Sequence, residues 1–253
     1  MKFAKTLAGL AIGLMAQPGW AVLAAGEVDV VGIKFGMSPD QVLAALKKNS
    51  AETAVLAKMT YKAGPGNKEG VASLSTCDRP LDTRSLTAKC TDEITIAFTA
   101  GTQEAFYIRR RVAYDGKLRQ QDLKTALEKK YGFVHANVVK QFGGTGETLY
   151  GAMAATTDGN VSYARVNPAG CETAGNGPAL EPTRANGRCH WAMVTESSGM
   201  GARRDLVDSH TLAVTSHETL MRSLKLEQAA RDNFSKMRNA EQDKKVAPGA
   251  PRL

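Results

Sequence analysis

The residues of this chain that could carry chemistry are four cysteines, four histidines and a run of three arginines at 109–111. A histidine can act as a general base, and a cysteine thiolate can act as a nucleophile or a metal ligand. Asp208 and His210 lie two residues apart on one face of a predicted strand, and Ser209 points to the other face. These three residues therefore cannot form a local catalytic triad. The remaining histidines are His135, His190 and His217, and His217 falls in the first turn of a predicted helix, where we expect a surface or capping role.

Familiar catalytic motifs do not occur in the sequence. There is no Gly-x-Ser-x-Gly, no His-Glu-x-x-His and no Gly-x-x-x-x-Gly-Lys-Ser/Thr. The glycine-rich residues 143–146 precede a predicted strand and not a helix, which favours an interdomain loop over a phosphate cradle. We therefore predict no catalytic residue, no cofactor and no metal ligand. The alternative is an unrecognised hydrolase or a small-ligand-binding protein with its site between the two parts of the chain, near residues 131–146.

The cysteines are predicted to form disulfides. An even number of cysteines in an exported chain is typical of a disulfide framework, and four cysteines allow three pairings. Pairing Cys77 with Cys90 and Cys171 with Cys189 is the most economical, because each bridge closes a short segment with few apolar residues. A zinc site that uses Cys189 and His190 is the competing interpretation. Adjacent residues on a strand point to opposite faces, and no Cys-x-x-Cys pair occurs, so the disulfides are favoured.

The arginine run lies on a strand of a predicted β-hairpin. Ile94, Ile96 and Phe98 alternate with polar or small residues, Gly101 marks a turn, and the second strand continues from residue 106 to 114. Arg110 shares a face with apolar neighbours, which predicts either the margin of the sheet or a buried ion pair. We predict a binding surface that contains Tyr107, Arg109 and Arg111.

Other elements surround this hairpin and predict an α+β fold, in which antiparallel strands are covered by about three helices. Residues 29–35 read as a strand. Ser38, Pro39 and Gln41 then form a capping box that opens a helix to about Lys48. Residues 50–90 carry no clear pattern apart from a loop or turn at 64–67. The pair Asp115-Gly116 predicts a turn into a helix at 119–131, which is ended by Gly132.

The second part of the chain, from about residue 139, predicts a smaller antiparallel sheet. Candidate strands span 148–154 and 161–166, joined across Asp158-Gly159, and then 189–195 and 207–214, separated by a loop with Arg203 and Arg204. Thr215 is the predicted N-cap of a last helix that reaches about residue 238. We predict one domain at 25–138, a second at 139–238 and a disordered tail at 239–253.

The first 24 residues read as a secretory signal peptide. Lys2 and Lys5 precede an apolar run at 7–16, and small residues place cleavage after Ala24 or Ala21. Cleavage after Ala24 would remove two of the 33 basic residues and none of the 25 acidic residues, which leaves 229 residues with a net charge of +6. We expect a periplasmic or secreted protein without a membrane span or a lipid anchor. The basic residues are spread along the chain, which does not favour a nucleic-acid partner.

The stretch GIKFGMSPDQVLAAL at 32–46 resembles the opening strand-turn-helix of the BamE/SmpA-like envelope modules and of the β-lactamase inhibitor protein fold. Those families are secreted or envelope binding modules and not enzymes. The resemblance implies a non-enzymatic protein that binds an envelope or extracellular protein, and the surplus positive charge favours an acidic partner. BamE-like proteins carry a lipidation cysteine, which this chain lacks, and the inhibitor fold repeats its module, which this chain does not.

Overall fold

The computed structural model describes residues 27–49, 54–63, 68–78, 90–132, 137–140, 147–158, 161–164, 171, 186–200 and 203–245. Within these ranges the chain forms three helices and eleven strands, which confirms the predicted α+β class. The helices are α1 (Pro39–Asn49), α2 (Gln120–Tyr131) and α3 (His217–Lys245). The strands are β1 (Asp29–Val30), β2 (Ile33–Lys34), β3 (Ala54–Ala63), β4 (Lys68–Cys77), β5 (Asp92–Phe98), β6 (Ala105–Arg119), β7 (Asn137–Lys140), β8 (Glu147–Thr156), β9 (Val161–Ala164), β10 (Cys189–Met200) and β11 (Arg203–Ser216).

Nine of these strands form one antiparallel sheet, in the order β3-β4-β5-β6-β11-β10-β8-β7, with β9 also paired to β8. The two predicted parts meet at its centre, where β6 pairs with β11 and Ile108 lies opposite Val214. The second part therefore adds strands to the sheet of the first and does not build a separate sheet. The division of the chain into two domains at residue 138 stays a prediction.

Residues 29–35, predicted as one strand, form two short antiparallel strands, β1 and β2, that are joined by a tight turn. Val31 and Gly32 both have positive φ, at 56° and 78°, as in the tight turns that join antiparallel strands. The amide of Gly32 donates to the carboxylate of Asp29 at 2.9 Å, which stabilises the turn. The capping box of α1 is confirmed, because the Ser38 amide donates to the Gln41 side chain at 2.9 Å and the Gln41 amide donates to the Ser38 hydroxyl at 3.3 Å.

The central hairpin is confirmed as β5 and β6, but the predicted turn at Asp115-Gly116 is wrong. Strand β6 continues through both residues, and Leu118 still pairs with Val207 of β11. Residues 114–117 lie between the pairs Ala113–Ser209 and Leu118–Val207, so the register against β11 shifts by three residues at Asp-Gly, which forms an irregularity within β6 and not a turn into the helix. Helix α2 follows directly and ends as predicted at Gly132, which is left-handed and donates its N–H to the Glu128 carbonyl at 2.9 Å.

Strands β3 and β4 form a hairpin that the sequence pattern did not predict. Strand β4 is rich in serine and also contains Gly70, so its apolar alternation is weak. Its pairing with β5, where Leu74 lies opposite Ile96, places it in the sheet. The predicted turn at 64–67 lies outside the described residues.

The strands of the second part are confirmed, with different ends. Strand β11 begins at Arg203, so Arg203 and Arg204 belong to a strand and not to a loop. The N-cap of α3 is Ser216 and not Thr215, because the Ser216 hydroxyl accepts the amide of Thr219 at 3.1 Å. Helix α3 extends to Lys245, so residues 239–245 are helical and not a disordered tail. Residues 246–253 lie outside the described part.

The two faces of the nine-stranded sheet are packed differently. Helices α1 and α2 and the β1–β2 turn pack on one face, here called the covered face, which includes Ile96, Ile108 and Val214. The opposite face is here called the open face. Helix α3 packs against one end of it, where Leu220 belongs to a small apolar cluster that includes Tyr107. Beyond that end, no described helix lies over the open face.

Both predicted disulfides are present. Cys77 pairs with Cys90 and Cys171 with Cys189, at Cα–Cα distances of 5.4 and 5.9 Å. Beside the first bridge, the Asp78 carboxylate accepts the amides of Thr91 and Asp92 at 2.9 and 3.1 Å, and it also binds the Thr91 hydroxyl. These bonds hold together the base of the segment that the bridge closes.

Candidate functional site

The three consecutive arginines of β6 lie on two faces of the sheet, because neighbouring residues of a strand point in opposite directions. Arg110 faces the covered side with Ile108, whereas Arg109 and Arg111 face the open side with Tyr107. The three arginines therefore belong to two different sites, one on each face of the sheet, and not to one basic cluster.

Arg110 is bound by a carboxylate from the neighbouring strand, which confirms the predicted ion pair. Its Nε donates to one carboxylate oxygen of Asp92 at 2.9 Å, and its Nη2 donates to the other at 2.6 Å. Asp92 lies diagonally across β5 on the same face, a position within reach of a long side chain. The hydrogen bonds to Asp92 raise the pKa of Arg110 above its ordinary value. Arg110 is thus already engaged within the protein.

Arg109 and Arg111 each belong to a row of side chains that crosses four strands on the open face. The first row runs from β10 to β5 as Val194, Ala213, Arg109 and Thr95. The second row runs the same way as Glu196, Thr211, Arg111 and Glu93. Exposure rises along β6 away from α3, since Tyr107 is buried, Arg109 is half-buried and Arg111 is exposed. We call these eight residues the arginine rows.

Tyr107, which the sequence placed in the binding surface, is not available there. Its side chain is 1 % exposed and packs in the cluster with Leu220 of α3. Burial raises its pKa to about 12. The strand pattern alone could not show this, because the helix that covers Tyr107 begins more than one hundred residues later in the chain.

The arginine rows contain donors without partners in the described structure. The Nε of Arg109 is buried and has no hydrogen-bond partner among the described residues. Arg109 and Arg111 also form no ion pair with any described carboxylate, although Glu93 lies directly across from Arg111 in the register. A buried donor without an acceptor is rare in native proteins and calls for an explanation, such as a ligand.

The sequence did not single out Glu93, Thr211 and Glu196 as members of this surface. The signal that could have identified them is that they are polar residues at alternating positions of strands. Their juxtaposition depends on the register of three strand pairs, and β5 and β6 slip at a bulge between Ala97 and Phe98. Counting residues from the hairpin turn would therefore give the wrong partners.

One described histidine, His210, contacts a hydroxyl group, and that pair is buried within the sheet. His210 is buried on the covered face, and its Nε2 lies 2.6 Å from the Thr195 hydroxyl. Burial and the charge of Arg110 lower the pKa of His210 to about 4, so the ring is neutral near pH 7. A bulge between Val207 and Ser209 leaves Asp208 exposed, so Asp208 and His210 do not share a face as predicted.

The two histidines near the start of α3 have structural surroundings. His217 is fully buried, which corrects the predicted surface role, and its Nδ1 accepts the amide of Asn186 at 3.3 Å. His190 Nδ1 lies 3.4 Å from a carboxylate oxygen of Glu218. Cys189 is in a disulfide, so its sulfur is not the thiolate that a zinc site would need.

The alternative site between the two parts of the chain corresponds to a crevice beside Tyr131. It opens between α2 and the neighbouring strands β6 and β11, and Arg110 and His210 are among its lining residues. His135 and the glycine-rich residues 143–146 lie outside the described part. The part of the junction that the structure describes thus contains a crevice with polar lining residues.

No protein-family model, no curated protein and no solved structure matches this chain. The resemblance of residues 32–46 to envelope binding modules stays a prediction. Within the described residues, no helix is long and apolar enough to cross a membrane. The two disulfides are typical of an oxidising compartment outside the cytoplasm.

Proposed function

We propose that this protein is a non-enzymatic binding protein of the bacterial periplasm or the extracellular space. It is exported by the signal peptide at residues 1–24, and it binds an acidic partner protein through the arginine rows. The observation that carries the proposal is the pair Arg109 and Arg111 on the open face: neither forms an ion pair with a described carboxylate, although Glu93 and Glu196 lie in the row of Arg111.

The chemistry of the arginine rows suits a protein surface with carboxylates. A guanidinium binds a carboxylate through two parallel hydrogen bonds, and arginine is enriched where protein interfaces carry most of their binding energy. Arg109 is half-buried and its Nε is not accessible from outside, so a partner carboxylate would bind the guanidinium through its other N–H groups. Thr95 and Thr211 beside the arginines offer hydroxyl groups that can donate or accept hydrogen bonds.

The flat geometry of the site also supports a macromolecular partner. The arginine rows spread over four adjacent strands, which lie about 4.8 Å apart in a sheet, so they span about 15 Å in that direction. The half-buried Val194 lies in the same row as Arg109 and gives an apolar contact within the polar surface. A surface that mixes polar and apolar side chains in this way is typical of interfaces between two folded proteins.

The proposal is tested by capturing partners with the mature chain as bait in an envelope extract, followed by cross-linking and mass spectrometry. A specific partner should be recovered by the wild-type protein and lost by the double variant Arg109→Glu, Arg111→Glu. The matched control is Lys48→Glu, Lys129→Glu, which changes the net charge equally at exposed residues of α1 and α2 on the other side of the sheet.

Cross-links from the partner should concentrate on β10, β11, β6 and β5. Equal recovery by both double variants, or no recovery above background by the wild-type protein, would contradict the proposal. Thermal melts of the three proteins by circular dichroism should coincide, which separates loss of binding from loss of folding.

A further inference from the structure

The crevice beside Tyr131 lies on the covered face, opposite the arginine rows. Its volume is about 150 Å³, and it is bounded by α2, by β6 and β11 and by the β1–β2 turn. Apolar side chains form its floor, among them Val112, Leu212 and Leu123. A typical pocket for a drug-sized ligand has about 300 Å³ or more, so this crevice suits only a small molecule.

Two cations line the crevice while their carboxylate partners do not. Arg110 and Lys130 are lining residues, but Asp92, which binds Arg110, and Asp29, which lies 3.7 Å from Lys130, are not. No aspartate or glutamate is found among the described residues of its lining. The space inside the crevice therefore faces positive charge.

Arg110 keeps hydrogen-bonding capacity after it has bound Asp92. A guanidinium has five N–H groups, and Asp92 accepts from Nε and Nη2. The Nη1 group donates to no described residue, and the Arg110 side chain is 35 % exposed. Tyr114 adds a phenol at the same wall, and burial raises its pKa, so the hydroxyl stays protonated and can donate to an anion.

We propose that the crevice binds a small carboxylic acid with a compact apolar body. The carboxylate lies between Arg110 and Lys130, and the body packs on the apolar floor. This site is independent of the arginine rows, since it is on the other face of the sheet. The protein then has two separate sites: the small carboxylic acid binds on the covered face, and the partner protein binds to the arginine rows on the open face.

Benzoate is a suitable probe, and benzamide is its neutral counterpart of the same shape. In ¹⁵N-resolved NMR spectra of the mature, disulfide-bonded chain, benzoate should cause saturable shifts of amides in α2, β6 and β11. We expect a dissociation constant in the millimolar range, as suits so small a ligand. Benzamide should bind about tenfold more weakly, because it lacks the charge-assisted hydrogen bonds.

Two variants locate the site. Lys130→Gln should weaken benzoate binding about fivefold, whereas Lys129→Gln, which removes the same charge from the preceding residue of α2, also exposed, should leave it unchanged. Ala126→Phe places a ring at the exposed edge of the crevice and should abolish the shifts while the spectrum stays dispersed.

Several results would overturn the inference. They are an absence of saturable shifts with benzoate, equal affinity for benzamide, or equal loss of affinity in the two lysine variants. The double variant Arg109→Glu, Arg111→Glu should retain benzoate binding, so failure of this site and failure of the partner surface can be told apart.

Discussion

Arg110 lies on the covered face of the sheet and is bound by Asp92, whereas Arg111, the next residue of the same strand, lies on the open face without an ion pair among the described residues. The covered face is mostly apolar, and its polar groups form bonds within the protein, as His210 does with Thr195 and Arg110 with Asp92. The open face carries the arginine rows, which mix polar and apolar side chains, and Arg109 and Arg111 form no ion pair there with a described carboxylate. The comparison teaches that the covered face holds the core of the fold and leaves only one small crevice beside Arg110, whereas the open face presents Arg109 and Arg111 over several strands.

The largest expected effect comes from truncating the covered face. Ile108→Ala removes a fully buried side chain between the sheet and its helices and should lower the free energy of unfolding by about 2–5 kcal/mol. Urea denaturation followed by circular dichroism measures this change. Thr211→Ala, on the open face of the neighbouring strand, is the matched control and should cost less than about 0.5 kcal/mol. Equal losses would show that the two faces do not differ in their contribution to the fold.

The second effect depends on pH and arises from His210 on the covered face. Its pKa in the folded protein, about 4, lies below the ordinary histidine value of 6.5, so between these pH values the unfolded chain binds a proton that the folded chain does not. Stability therefore falls as pH falls from 6.5, and the loss reaches about 3 kcal/mol near pH 4. Above pH 6.5 this histidine has no effect on the pH dependence.

His210→Gln should remove that part of the pH dependence, because glutamine does not titrate and can still hydrogen-bond to Thr195. Melting temperatures between pH 7 and pH 4 measure it. His190→Gln, at a histidine whose side chain is 43 % exposed, serves as the control and should keep the wild-type slope. A slope in His210→Gln that matches the wild type would mean that the ring is not held neutral by its surroundings.

A smaller effect is expected for the ion pair on the covered face. Asp92→Ala leaves Arg110 without its two-point acceptor, and the pair is only partly buried, with side chains 35 % and 28 % exposed. We expect a loss of about 1–2 kcal/mol, measured by urea denaturation. Glu93→Ala, at the neighbouring residue that faces the open side, should change stability by less than about 0.5 kcal/mol. A larger loss for Glu93→Ala would mean that the open face is stabilised by a charge pair after all.

The smallest effect is expected for the open-face arginine itself. Arg109→Met keeps the aliphatic stem and removes a buried donor that lacks a partner, so stability should change by less than about 0.5 kcal/mol. The same variant should lose affinity for the captured partner. A marked loss of stability with no loss of binding would assign Arg109 to the fold and not to the interface.

Local signals in the sequence predicted many elements correctly. The Ser38 capping box, the Gly132 helix end and the alternation around Ile96 all depend on neighbours within a few residues, and each appears in the structure. The cysteine pairs were also predictable, because short loops favour bridges between sequence neighbours. Predictions failed where pairing on both sides of a turn signal carries a strand past it, as at Asp115-Gly116, or where the apolar alternation of a strand is weak, as in β4.

For the candidate site, the sequence identified the arginine strand but not its surroundings. It indicated that Arg110 differs from its neighbours, because strand alternation is a local property. It could not show that Tyr107 lies under α3 or that Glu196 and Glu93 lie in the row of Arg111. Those relations depend on the strand order of the sheet and on a bulge, which no local pattern specifies.

The sequence by itself determined the start of α1, the end of α2, the alternation of β5 and β6, the disulfide partners and the two directions in which the arginines point. Each of these follows from bond geometry or hydrogen bonds between residues close in the chain. Only the tertiary structure decided which side of the sheet is covered, because that depends on where α1, α2 and α3 pack to bury their apolar faces. The same packing left Arg109 and Arg111 on the open face and made a crevice lined by Arg110, since burial is a property of the whole sheet and not of one strand.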